Sequence, residues 1–183
     1  MKKNIFSPLA LIVTCLLFTG HYAQAESAAV LNAKADDAIT HFKNKIQGGE
    51  KFLSQVKGYL VFPSVVKGGF VVGGEYGEGV LRVNGQTKAY YSMASGSIGL
   101  QAGLQKTSYL IAFVSQTALD NFMKSDGWEA GVDGSVTVVN LGLAKDIKSI
   151  SFEKPIYVFV YDAEGLMYNL TLEGTKFTKI TPK

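Results

Sequence analysis

The sequence predicts an α+β domain. In this fold, N-terminal amphipathic helices and one further short helix pack against a curved, glycine-punctuated antiparallel β-sheet, with a barrel-like curl as one option. Three observations predict it. Apolar residues recur at helical spacing up to Gly58, with charged residues between them. After Gly58, short runs of β-branched and aromatic residues alternate with glycines. Between two of these runs, residues 116–124 return to helical spacing.

The N-terminal helical region is predicted as two pieces. Ser27 is a suitable N-cap for the first piece, and Gly48-Gly49 is expected to end it. A second, shorter amphipathic piece then continues to Gly58, where the helical region closes. The apolar positions of the two pieces are Leu31, Ala35, Ala38, Ile39, Phe42 and Ile46, followed by Phe52, Leu53 and Val56.

The strand candidates after Gly58 are short. They comprise residues 59–62, 70–72, 79–83, 89–93, 109–114, 136–143 and 156–161. The last candidate is predicted to form a hairpin with residues 166–172 through a turn at 162–165. Because residues 156–161 are apolar on both faces, we expect both sides of that strand to be covered. Trp128 and Phe159 are predicted among the buried aromatic residues.

Residues 1–25 have the layout of a cleavable export signal. Lys2 and Lys3 give a positive start, and the apolar run Leu9–Phe18 that follows is too short to span a bilayer. Ala23-Gln24-Ala25 then places small residues at the two positions that a signal peptidase reads. We therefore expect cleavage after Ala25. The product is a single domain, residues 26–183, that is periplasmic or secreted.

A lipoprotein signal with acylation at Cys15 is the competing interpretation of this segment. Thr14 is larger than the residues usual before a lipidated cysteine, and Leu16 and Leu17 continue the apolar run where a polar exit would be expected. Anchoring at Cys15 is therefore the less favoured reading. The short apolar run also argues against a retained membrane anchor.

The predicted mature chain has a balanced charge. Removing Lys2 and Lys3 from the 18 lysines and arginines leaves 16, against 15 aspartates and glutamates. This near balance argues against nucleic acid as a partner. Since Cys15 leaves with the signal, disulfides and thiol chemistry are also excluded from the mature domain.

The sequence offers no pattern typical of an active site. His41 is the only histidine of the mature chain, and nothing near it supplies a nucleophile and an orienting group. Asp126, Glu129 and Asp133 surround Trp128 without the spacing of a calcium loop, so we assign them to a helix end and a turn. We expect no enzymatic activity, no cofactor and no metal site.

The glycines between positions 68 and 79 fit no nucleotide-binding motif. Glu75 and Glu78 stand in this stretch, where they would repel a phosphate. Glycines inside strands more often permit sharp curvature or a close backbone approach, and we favour that interpretation over ligand contact. The odd spacing of Glu75 and Glu78 in an extended strand places them on opposite faces, which argues against a carboxylate pair for glycoside chemistry.

Four glycine and aromatic blocks together resemble the SYLF domain family. They are KGYLVFPSVVKGGFVVGGEYGEGVLRV from Lys57, YYSMASGSIGLQAGLQ from Tyr90, DGWEAGVDGSVTVV from Asp126 and GLMYNLTLEGTKFTKI from Gly165. The resemblance covers nearly the whole mature chain. It implies a lipid-binding module, because eukaryotic members bind phosphoinositides through an amphipathic helix and a basic surface, and some bind and bundle actin. Bacterial members are exported proteins or lipoproteins, so the resemblance implies anionic phospholipid as the target here.

Two functions from different classes remain open. The first is a non-enzymatic module of the bacterial cell envelope that binds anionic phospholipid or a membrane surface. Its candidate lipid-binding residues are Lys43, Lys45, Lys51, Lys57, Lys67, Arg82 and Lys88. Each of them alone also suits an ordinary solvated charge, and the apolar stripe of the first helix also suits packing on the sheet. The second function is an envelope structural or interaction protein that binds another protein through an exposed sheet edge.

Overall fold

The structure, a computed structural model, describes residues 26–69, 72–98, 103–141, 147, 152–164 and 172–183. Its helices are α1 (Ala28–Lys45), α2 (Gly49–Gln55) and α3 (Gln116–Lys124). Its strands are β1 (Gly58–Gly69), β2 (Val72–Val83), β3 (Gln86–Ile98), β4 (Gly103–Phe113), β5 (Trp128–Glu129), β6 (Thr137–Asn140), β7 (Ile156–Glu164) and β8 (Lys176–Ile180).

The strands form one strongly curled sheet that closes into a half-barrel. Its eight described strands lie in the order β5-β8-β3-β2-β1-β4-β7-β6. The predicted α+β fold with a curved sheet is confirmed. The sheet is mixed rather than purely antiparallel, because β6 pairs with β7 in parallel.

Both faces of the sheet are covered, as the apolar run 156–161 predicts. We call them the α1 face and the α3 face after the helix that packs on each. The α1 face buries Leu31, Ala35, Ile39, Phe42, Phe52 and Leu53 of the helices against Val61, Val80, Leu110 and Phe159. The α3 face buries Leu119 and Phe122 of α3 against Leu60, Phe62, Leu81, Tyr91, Phe113, Trp128, Val158 and Phe177. The burial of Trp128 and Phe159 is thereby confirmed.

The helices begin and end close to their predicted limits. The Ser27 hydroxyl accepts a hydrogen bond from Val30 N at 3.4 Å, so the predicted N-cap of α1 is confirmed. The helix ends at Lys45, and Gly48, with a φ of 89°, provides the left-handed residue from which α2 starts. The third helix has the predicted limits Gln116–Lys124 and is capped by Ser115.

Strands β1 to β4 and β7 are longer than the apolar runs that predicted them, whereas β6 covers only Thr137–Asn140 of the predicted 136–143, of which 142 and 143 lie outside the described residues. Strand β1 continues past Pro63 to Gly69, because a bulge between Phe62 and Val65 accommodates the missing N–H of proline. The Ser108 hydroxyl donates to the Pro63 carbonyl at 3.0 Å there. Of the candidate 70–72, only Val72 lies within the described residues, and it begins β2.

The predicted terminal hairpin is wrong about the partners of β7. Residues 157–160 pair with β4 on one edge and with β6 on the other, so neither edge is available to a following strand. The strand also continues to Glu164, through most of the predicted turn. Residues 165–171 lie outside the described part of the chain. The last described strand, β8, pairs instead with β3 and β5.

Candidate functional site

Exposed lysines cluster around the junction between α1 and α2. Lys43 and Lys45 occupy the last turn of α1, Lys51 lies on α2, and Lys57 immediately precedes β1; all four are exposed. Within the described residues, Lys43, Lys51 and Lys57 take part in no ion pair, and Lys45 contacts Asp162 at 3.3 Å with its side chain 62% exposed. This part of the surface therefore carries a local positive charge.

A shallow groove of about 290 Å³ connects these helices with the turn between β2 and β3. Lys43, Glu50 and Ser54 line its helical side, and Asn84 and Gly85 line the turn. The exposed Lys88 follows the turn in β3. We call Lys43, Lys45, Lys51, Lys57 and Lys88 the basic surface.

Arg82 lies elsewhere, in a network that joins α1 to the β2–β3 hairpin. Its guanidinium donates to Asp36 Oδ1 and to Thr87 Oγ1, each at 2.6 Å, and the side chain is only 11% exposed. The Thr87 hydroxyl donates in turn to Asn32 Oδ1 at 2.8 Å. The structure therefore gives Arg82 a role in docking the helix, and we leave it out of the basic surface.

Lys67 also forms an ion pair, on the α3 face. Its ammonium lies 2.7 Å from Glu75 Oε1, and the side chains are 21% and 10% exposed. The Tyr109 hydroxyl hydrogen-bonds to the same carboxylate. Burial raises the pKa of Tyr109 far above its ordinary value, and the charge and hydrogen bond of Glu75 add to this effect. The ammonium group of Lys67 is therefore already paired within this network.

Replacing Lys67 by methionine is expected to lower the free energy of unfolding by roughly 1–3 kcal/mol, because a largely buried carboxylate loses its partner. The double variant Lys67→Met with Glu75→Leu should recover part of the loss, since it removes both charges. Urea denaturation of the two variants measures the effect. A single variant as stable as the parent would show that the pair contributes nothing to the fold.

The apolar stripe of α1 packs on the sheet. Leu31 and Phe42 are at most 1% exposed, and Ile39 is 7% exposed. Phe42 makes edge contacts with Phe159 and Tyr161 at ring separations of 5.5 and 5.7 Å. The apolar stripe of α1 is therefore buried against the sheet in this structure and is not available to a membrane.

An exposed apolar patch on the α1 face was not anticipated from the sequence. It consists of Val66 and Tyr76, which are 45% and 48% exposed. Val66 and Tyr76 are directly opposite each other in the β1–β2 pair. Along their strands, Val66 and Tyr76 alternate with residues of the α3 face, and this alternation could have indicated that they lie on the other face. The glycines around them obscured the pattern.

The placement of Glu75 and Glu78 on opposite faces is confirmed. Glu75 lies with Lys67 and Tyr109 on the α3 face, whereas Glu78 lies beside the start of α1, where Glu26 N donates to it. His41 contacts Asp162 at 2.6 Å and is partly exposed. Across the described residues, no three His, Cys, Asp or Glu side chains are grouped so as to hold a metal ion.

None of the helices in the described ranges combines the length and apolar character needed to cross a bilayer. The fold and the site together define a curled-sheet α+β domain with a basic surface at one end of its covering helices. Such a surface is a candidate binding surface.

Residues 94–181 match the model of the family described as Las17-binding protein actin regulator, Ysc84. Over these residues the chain therefore matches the Ysc84 family, which is the SYLF family whose resemblance the sequence analysis described. The match begins within β3, while β1 and β2 belong to the same sheet. A search of curated proteins finds no match to the chain. A match to this family is consistent with binding to lipid or protein.

Proposed function

We propose that residues 26–183 form a non-enzymatic module of the bacterial cell envelope that binds anionic phospholipid after export. The observation that carries the proposal is the basic surface, whose lysines project from α1, α2 and β3 into solvent. The family match supports it, since the family is associated with lipid or protein binding.

The basic surface suits an electrostatic attachment to a bilayer. Each lysine close to an anionic leaflet contributes about 1 kcal/mol, and the contribution fades beyond about 8–10 Å at ordinary salt. Glu50 and Asp162 lie beside these lysines and offset part of their charge. The attachment is therefore reversible and sensitive to salt.

Charge reversal of Lys51, Lys57 and Lys88 to glutamate tests the proposal. Losing three attractions of about 1 kcal/mol each should weaken the apparent affinity for anionic vesicles on the order of 100-fold. The thermal midpoint should change little, because exposed substitutions seldom alter stability by more than about 0.5 kcal/mol. Liposome flotation with and without anionic lipid, at low and high salt, measures the binding.

The matched control reverses Lys124, Lys176 and Lys179, which are also exposed but lie on α3 and β8. It changes the net charge by the same amount and should retain most of the binding. Equal binding to neutral vesicles, or equal loss in both variants, would reject a lipid-specific basic surface and favour a protein partner.

The alternative, pairing of a partner strand with a sheet edge, has weaker support. Within the described residues, the outermost strands are β5, with two residues, and β6, with four. Short edge strands offer few unpaired backbone groups to an incoming strand. The alternative therefore needs a different surface, for which the Val66–Tyr76 patch is the better candidate.

A further inference from the structure

The start of α1 lies in a small cluster of charges on the α1 face. Glu26 N donates to Glu78 Oε2 at 3.3 Å, and the Glu26 carboxylate forms an ion pair with Lys34. The Tyr76 hydroxyl donates to Glu78 Oε1 at 2.9 Å. These groups border a groove of about 340 Å³ together with Pro63.

Among the described residues that line this groove, two carboxylates face one cation, and one carboxylate oxygen has no hydrogen-bond partner. Its carboxylates are those of Glu26 and Glu78, whereas its cation is Lys34. Glu26 Oε2 is buried and has no hydrogen-bond partner within the described part of the chain. While residue 25 is attached, Glu26 N is a neutral amide with a single hydrogen to donate.

Cleavage after Ala25 would change this atom. It would turn Glu26 N into an α-ammonium group, with a positive charge and three hydrogens, at a point already 3.3 Å from a carboxylate. We propose that Glu78 is a receptor for the α-ammonium of the processed chain, so that removal of the signal converts a neutral contact into an ion pair. The inference rests on the predicted cleavage site and is independent of lipid binding.

The position of Glu78 matters because the new positive charge would lie at the N-terminus of α1, where it is unfavourable. Glu26 immediately precedes the N-cap Ser27, and a cation at a helix N-terminus is opposed by the helix dipole. Without Glu78, a free amino group would therefore weaken the start of α1. With Glu78, the same group ties α1 to β2, and its two further hydrogens are available to Glu26 Oε2 and to solvent.

The test compares the chain that begins at Glu26 with the same chain acetylated at its N-terminus, each with Glu78 and with Glu78→Gln. The core residues of both faces lie from Leu31 onward, so these chains contain both clusters. With Glu78, we expect the free amino group to raise the thermal midpoint by about 2–4 °C over the acetylated form. With Glu78→Gln, the difference should vanish or reverse in sign.

Glu75→Gln is the matched control, because it removes a carboxylate of the same strand from the opposite face. It should lower both midpoints and keep their difference. A difference of zero with Glu78 present, or the same difference in Glu78→Gln, would overturn the proposal.

A second measurement needs no variant and covers the case in which Glu78→Gln fails to fold. The rate at which an acylating reagent modifies the α-amino group at neutral pH is followed by mass spectrometry. An ion pair holds the group protonated, so labelling of the folded chain should be several-fold slower than labelling in denaturant. Equal rates would contradict the ion pair.

Discussion

Replacing Phe122 by alanine is expected to lower the free energy of unfolding by about 3–5 kcal/mol, the usual cost of removing a buried phenyl ring. Phe122 is fully buried at the centre of the α3 face. Its ring lies 4.8 to 6.1 Å from the rings of Tyr91, Phe113, Trp128 and Phe177. The substitution would therefore leave a cavity where α3 packs against four strands, β3, β4, β5 and β8.

Urea denaturation followed by tryptophan fluorescence measures this effect directly, since Trp128 is the chain's single tryptophan and packs edge-on against Phe122 at 5.5 Å. The control is Asn121→Ala, on the adjacent exposed position of α3, which should stay within about 0.5 kcal/mol of the parent. A loss below about 1 kcal/mol for Phe122→Ala would mean that α3 does not close this face.

The helices could be predicted closely from the sequence because their signals are local. The stripe from Leu31 to Ile46 and the cap Ser27 fix α1 through residues three or four apart. The limits of α3 follow in the same way from the helical spacing of Ala118, Leu119 and Phe122. Short-range periodicity therefore defines both helices and the faces they bury.

The strands could be predicted only in part because their pairing depends on distant residues. The parallel contact of β6 with β7 joins Val138 to Val158, and nothing in either run indicates its direction. Strand β8 was missed altogether, since among residues 176–180 only Phe177 is buried. The error in the predicted hairpin has the same origin. Residues 166–172 were chosen as the partner of β7 because they are close in sequence, but β4 and β6 occupy both edges of that strand.

The candidate site likewise combines features that local sequence predicts with features that depend on distant residues. That lysines such as Lys51 and Lys57 are exposed follows from their chemistry. The ion pairs of Lys67 and Arg82 could not be predicted in this way, because their partners Glu75 and Asp36 belong to other elements. Basic residues can be counted from a sequence, whereas their ion pairs depend on how the strands and helices pack together.

Close packing is expected to require a glycine at position 79 of β2. A Cβ at Gly79 would lie 2.5 Å from the Val61 carbonyl oxygen and 2.6 Å from a ring carbon of Phe62. Neither neighbour can retreat easily, since Val61 O is backbone in the centre of the sheet and Phe62 is fully buried. This supports the sequence-based interpretation that the glycine block serves close backbone approach.

Gly79→Ala is therefore expected to lower the free energy of unfolding by about 3 kcal/mol, the upper part of the usual range for overpacking. The matched control is Gly96→Ala in the neighbouring strand β3, where a Cβ would meet nothing within 4 Å. That control should be neutral or slightly stabilising, because alanine restricts the unfolded chain more than glycine does. Chemical denaturation of both variants decides the matter. If Gly79→Ala were as stable as Gly96→Ala, β1 and β2 would have room to separate, and the tight curl of the sheet would need another cause.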